Sequence, residues 1–124
     1  MDKHANQAIR DATGAFNRSI LEAILPAIRE AARFKGYAVA IHGSLKRDIE
    51  LIAVAWTEQA CPPDEIVNSI CGAVSGVLGN CVQINKTPTK KPHGRIAVTL
   101  IHPGHVGEID LSIIPPPKAE EPET

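Results

Sequence analysis

Two aliphatic runs, Tyr37 to His42 and Asp48 to Trp56, are separated by only five residues, Gly43 to Arg47. Both runs ("YAVAIH" and "DIELIAVAW") have the length and composition of strands. A parallel pair needs a crossover of about a dozen residues or more, so strands joined this tightly pair antiparallel if they are neighbours. That pairing brings Gly43 and Ser44 to the same sheet edge as Asp48 and Glu50. Side chains alternate along a strand, so the two carboxylates share a face and can address one ligand.

The segments around this hairpin supply two helices and further strands. Residues 1–14 are polar and read as a frayed helix or a tail without a catalytic role. From about Phe16, the positions Ile20, Leu21, Ile24, Leu25, Ile28 and Ala32 recur at three and four, giving a helix with one buried face that ends near Lys35-Gly36. Pro26 inside it predicts a kink or a restart. "CPPDEIVNSICGAVSGVLGN" predicts a second helix, with prolines at its start and Asp64 and Glu65 in its first turn. Its expected stripe is Ile66, Val67, Ile70, Cys71, Val74, Val77 and Leu78. "CVQINK" reads as a short edge strand and "TPTKKPHG" as a basic loop broken by two prolines. "RIAVTLIH" and "EIDLSII", joined by "PGHVG", read as a hairpin. The expected fold class is α+β, a mixed or antiparallel sheet of 4–5 strands with two main helices packed on it. One domain over 15–115 is expected, followed by an acidic, proline-rich, disordered tail at 116–124.

Composition removes several function classes. Thirteen Lys and Arg against fourteen Asp and Glu leave a formal net charge of -1, so no global field favours nucleic acid or an anionic membrane. Aromatic residues are 3% of the chain, too few for the stacking platforms of single-strand binders. Cys61, Cys71 and Cys81 are odd in number and ten apart, matching neither a disulfide framework nor a zinc pair, and are read as reduced cytosolic thiols. No apolar run approaches the ~20 residues of a membrane span, and the N-terminal sequence has no secretory apolar region. A cytoplasmic protein without a membrane partner is the expectation.

A third carboxylate, Asp110 in "GEIDLSII", stands near the start of the last strand. Carboxylates gathered at one place repel unless a cation or a proton intervenes. Mg²⁺ held by Asp48, Glu50 and Asp110 would resolve that repulsion, and it is also the ion that orients and neutralises a nucleoside triphosphate. Gly43 lets backbone approach a phosphate closely, and the Ser44 hydroxyl and nearby N–H groups can donate to its oxygens. Lys46 and Arg47 add positive charge.

These residues resemble the pattern of the DNA polymerase beta-like nucleotidyltransferase superfamily: Gly, then Gly or Ser, then Asp-hydrophobic-Asp/Glu on the next strand, and a third carboxylate on a later one. Here the matching elements are Gly43-Ser44, Asp48-Ile49-Glu50 and Asp110 flanked by Ile109 and Leu111, within residues 16–115. The chain is also similar to small phage-type proteins of this class, in which a "GYA…HGS…RDIDLIAVPW" block precedes "KPHGR" and a terminal "IDLS". This chain has "GYAVAIHGSLKRDIELIAVAW", "KPHGR" at 91–95 and "IDLS" at 109–112. The resemblance implies Asp48, Glu50 and Asp110 as catalytic and metal-binding residues, and it extends phosphate contact to His93 and Arg95. It departs from the superfamily in spacing, because only Leu45, Lys46 and Arg47 stand between Ser44 and Asp48, where the superfamily places a helix.

Two functions follow as expectations. One is Mg²⁺-dependent nucleotidyl transfer from a nucleoside triphosphate to an acceptor, with Asp110 as base. The alternative is binding of a nucleotide or nucleotide signal without transfer, a sequestering protein of phage counter-defence type. A structural reading makes the carboxylate edge an interface in a homo-oligomer. His42 either faces the site or is a sheet histidine, and Trp56 either packs on the second helix or stacks on a base. His102 and His105 have no partner spacing that demands a metal.

Overall fold

The structure is a computed structural model and describes residues 3–84, 89–90, 94–102 and 108–117. The elements are α1 (Lys3–Phe34), β1 (Tyr37–His42), β2 (Ile49–Ala55), α2 (Pro63–Leu78), β3 (Val82–Gln83), β4 (Thr89–Lys90), β5 (Ile96–Ile101) and β6 (Ile109–Ile114). They form an α+β fold in which two helices pack on a mixed sheet of order β1-β2-β6-β5-β3, with β4 also paired to β5.

β1 and β2 pair antiparallel, from Tyr37 opposite Ala55 to His42 opposite Glu50, as so short a link requires. β5 and β6 form the expected antiparallel pair, with Thr99 opposite Asp110. β6 then lies between β5 and β2 and runs parallel to β2, with Glu50 beside Asp110. This parallel contact connects the two halves of the chain and places the starts of β2 and β6 side by side. The outer edge of β5 is covered in two short pieces, Val82–Gln83 and Thr89–Lys90. The second lies within the stretch expected to be loop. Pro88 and Pro92 flank it, and without N–H groups they limit such pairing.

One face of the sheet is the core. Tyr37, Val39, Leu51, Ala53, Val98, Leu100, Leu111 and Ile113 are buried there at alternate positions, together with Leu21, Ile24, Ile28 and Ala32 of α1 and Ile66, Val67, Ile70 and Val74 of α2. Burying each large aliphatic contributes about 1.5–3 kcal/mol. The other face carries Glu50, Ile52, Asp110 and Ser112, all half-buried, with Ala38, Ala40, Val54 and Ile114 exposed.

α1 is longer than the apolar stripe predicts: it begins at Lys3 and continues through Pro26. The additional turns rest on buried Gly14 and Asn17, which a search for apolar periodicity passes over. Gly14 closes on Lys46, whose Cγ would lie 3.6 Å from an added Cβ. At the other end Gly36 has φ +89, and a Cβ there would meet Ala60 Cα at 2.8 Å, so only glycine lets α1 turn into β1. α2 begins after Pro62 and carries Asp64 and Glu65 in its first turn, as read. Its stripe is narrower than expected, since Val77 is exposed and Cys71 and Leu78 are half-buried. The three cysteines are free thiols. Cys71 Sγ donates to the Cys81 carbonyl at 3.0 Å, and burial pushes the Cys81 thiol up to about 12. Among the described residues no helix is long and apolar enough to cross a membrane.

Candidate functional site

The turn between β1 and β2 is shaped by three residues. Gly43 has φ +77 and Leu45 has φ +66, a left-handed conformation uncommon for a branched aliphatic side chain. Leu45 is nonetheless 8% exposed, and its carbonyl accepts a 2.7 Å hydrogen bond from Asn17 Nδ2. Burial of the side chain and capture of the carbonyl by α1 together hold the strained residue in place. Lys46 N–H donates to Ser44 Oγ at 3.3 Å, which leaves the hydroxyl proton free to point outward.

Beyond the turn, the parallel contact of β2 with β6 determines which carboxylates meet. Ile49 N–H donates to the Glu108 carbonyl at 3.1 Å, and Glu108 N–H donates to Asp48 Oδ1 at 3.3 Å. Carboxylate oxygens of Asp48, Glu108 and Asp110 all lie within 4.8 Å of one another. Asp110 also accepts from Thr99 Oγ1 at 3.4 Å. Its proton affinity is raised, first by burial, then by repulsion from Asp48 and Glu108, against the smaller opposing effect of the Thr99 hydrogen bond; Glu50 adds to the repulsion.

Of the carboxylates read as one site, the structure brings Asp48 and Asp110 together and leaves Glu50 outside their cluster. Glu50 occupies the expected face, beside Asp110 in the β2–β6 register. Its carboxylate folds back over Gly43, so that a Cβ there would collide with Glu50 Oε2. Glu108 takes the third position. Sequence reasoning put Glu108 at the head of the strand run "EIDLSII" and gave it no role, although it stands two before Asp110 and the same alternation rule puts both on one face.

Ser44, Lys46, Arg47, Asp48 and Glu50 line a cavity of about 220 Å³, and Arg10 of α1 completes its wall. Arg10 falls within 1–14, the stretch read as having no catalytic role. Its signal would have been helical spacing: it lies seven residues, about two turns, before Asn17.

The remaining candidates lie elsewhere. Arg95 is near the opposite end of β5, where its Nη1 donates to Ser112 Oγ at 3.4 Å, two residues along β6 from Asp110. His93 and His105 are outside the described residues. His42 is exposed opposite Glu50. Trp56 stands just past the end of β2 away from the carboxylates and is 62% exposed.

The chemistry available is therefore a cluster of hard oxygen donors at the starts of two parallel strands, beside a small cavity walled by Arg10, Lys46 and Arg47. Comparison with models of known protein families returns no match, and comparison with curated proteins returns no significant one.

Proposed function

We propose that the chain is a nucleotide-binding protein that uses a divalent cation, with Mg²⁺ as the natural candidate, and transfers a nucleotidyl group from a nucleoside triphosphate to an acceptor hydroxyl. The observation that carries this reading is the convergence of Asp48, Glu108 and Asp110 within 4.8 Å. The donor set fits the ion: carboxylate oxygens suit Mg²⁺ or Mn²⁺, and the repulsion that raises the proton affinity of Asp110 is what a cation relieves. When bound, the ion would neutralise phosphate charge.

The chain's own residues would do the rest. Arg10, Lys46, Arg47 and the Ser44 hydroxyl would donate to phosphate oxygens in the adjoining cavity. A volume of about 220 Å³ is below the usual size of a whole-ligand pocket, so the phosphates would enter it and the nucleoside would lie outside. In the transfer, the acceptor oxygen bonds to the α-phosphorus, the bond to pyrophosphate breaks, and the acceptor proton passes to Asp110.

One observation favours the second reading, binding of a nucleotide or nucleotide signal without transfer. Residues 43–48 form bends and no helix, so no helix N-terminus supplies aligned N–H donors to the phosphates. Pyrophosphate release decides between the two. Incubation with each nucleoside triphosphate and Mg²⁺ or Mn²⁺ is expected to release pyrophosphate with at least one, and Asp48→Asn and Asp110→Asn are expected to abolish it. A nucleotide-induced thermal shift that persists in EDTA, without turnover, establishes the binding reading instead.

A further inference from the structure

Side chains tie the last turns of α2 to the segment that follows the helix. Ser75 Oγ donates to the Cys71 carbonyl at 2.8 Å and accepts from Cys81 N–H at 3.0 Å, so one hydroxyl joins the backbones of two cysteines. Cys71 Sγ donates to the Cys81 carbonyl at 3.0 Å, and the two thiols also hydrogen-bond each other. Gly79, at φ +94, ends α2 and lets the chain turn so that Cys81 comes back beside Cys71. The contact is set by side-chain hydrogen bonds inside the fold, and a spacing of ten residues matches no motif that would announce it.

The two thiols are not equivalent. Cys71 is half-buried and Cys81 is buried, and burial, reinforced by the hydrogen bond with Cys71, pushes the Cys81 thiol up to about 12. A small oxidant arriving from solvent therefore meets Cys71 first, with Cys81 already in place as the resolving thiol. Cys61 faces other groups: burial and a hydrogen bond with Glu65 push its thiol up to about 11, and Lys35 is its nearby cation.

We propose that Cys71 and Cys81 form a reversible oxidation site, which a peroxide closes to a disulfide. In the first step the Cys71 sulfur bonds to one peroxide oxygen, the O–O bond breaks, and the other oxygen leaves as water with the thiol proton, giving the sulfenic acid. In the second the Cys81 sulfur bonds to the sulfenic sulfur, the S–O bond breaks, and the hydroxyl leaves as water with the Cys81 proton. Two thiols and one hydrogen peroxide become one disulfide and two waters, the sulfurs oxidised and the peroxide reduced. The sulfurs have only to close from hydrogen-bond contact to about 2.05 Å. The bridge pins the end of α2 to the start of β3, the strand that covers part of the outer edge of β5, and a dithiol reductant reopens it by exchange. The site is independent of what the carboxylates bind.

Mass spectrometry of the folded full chain treated with a few equivalents of hydrogen peroxide is the test. The expected product is a monomer lighter by two hydrogens, in which Cys61 alone is alkylated after denaturation, and dithiothreitol is expected to restore all three thiols. Cys61→Ser is expected to keep the bridge, and Cys71→Ser to lose it. Cys81→Ser is expected to stop at a Cys71 sulfenic acid that dimedone traps. In the oxidised wild type, hydrogen exchange over residues 76–84 is expected to slow and Tm to rise. A chain that stays reduced, that gains oxygen without forming the bridge, or that pairs through Cys61 or with a second chain would overturn the proposal. So would a bridge that forms only in urea, because the fold would then not be what brings the two sulfurs together.

Discussion

Asn17 Nδ2 donates to the Leu45 carbonyl at 2.7 Å, and both residues are buried. A polar side chain in the middle of α1 thus holds the turn that carries Ser44, Lys46 and Arg47. Asn17 Oδ1 has no partner among the described residues, so Asn17 already bears one desolvation cost to make this contact. Asn17→Ala leaves the Leu45 carbonyl unpaired, and urea denaturation is expected to show a loss of about 1–3 kcal/mol. Hydrogen exchange at the amides of residues 44–47 is expected to accelerate more than the global loss explains.

Gly43 and Glu50 form a second dependency in the same turn. Gly43→Ala places a Cβ at φ +77 against the Glu50 carboxylate. The backbone part of the cost is about 1–2 kcal/mol, and the collision adds to it. In a double-mutant cycle with Glu50→Ala, the collision is expected to disappear and the backbone part to remain. A cycle with no coupling would mean that Glu50 does not lie over the glycine in solution.

How much of this was legible beforehand depends on the kind of signal each residue carries. The β1–β2 hairpin followed from a link too short for any other pairing, and α2 from prolines and carboxylates at its start. The N-terminal half of α1 was not legible, because Gly14 and Asn17 are buried without being apolar and add nothing to a hydrophobic stripe. The membership of the carboxylate cluster was half legible. Alternation placed Asp48 and Glu50 on one face, and Asp110 was joined to them only by its position near the start of the last strand. It could not show that β6 runs parallel to β2, and that contact is what brings Glu108 beside Asp48 while Glu50 turns back over Gly43.

Asp110 predicts a pH dependence. Its folded-state pKa is raised by burial and by neighbouring carboxylates, so the folded protein holds its proton to higher pH than the unfolded chain does. Without divalent cation, stability is therefore expected to fall as pH rises from the ordinary carboxylate value through the raised one. Asp110→Asn removes the charge and keeps most of the shape. It is expected to flatten that part of the profile and to make the protein more stable than wild type at neutral pH, read as a higher denaturation midpoint.

Divalent cation tests the membership of the cluster directly, and the two glutamates give opposite expectations. If Asp48, Glu108 and Asp110 hold the ion, Mn²⁺ or Mg²⁺ at about a hundredfold excess over its Kd stabilises the fold by about 2.7 kcal/mol. EDTA reverses the gain. Glu108→Gln is expected to weaken the cation-induced rise in Tm strongly, because its oxygen lies within 4.8 Å of the other two. Glu50→Gln is expected to keep most of that rise, because its carboxylate is committed against Gly43. The reverse result, loss with Glu50→Gln and retention with Glu108→Gln, would mean that Glu50 swings from the glycine to the ion on binding. The strand-start pattern Asp48-Ile49-Glu50 would then describe the loaded site better than the geometry of the ion-free chain does.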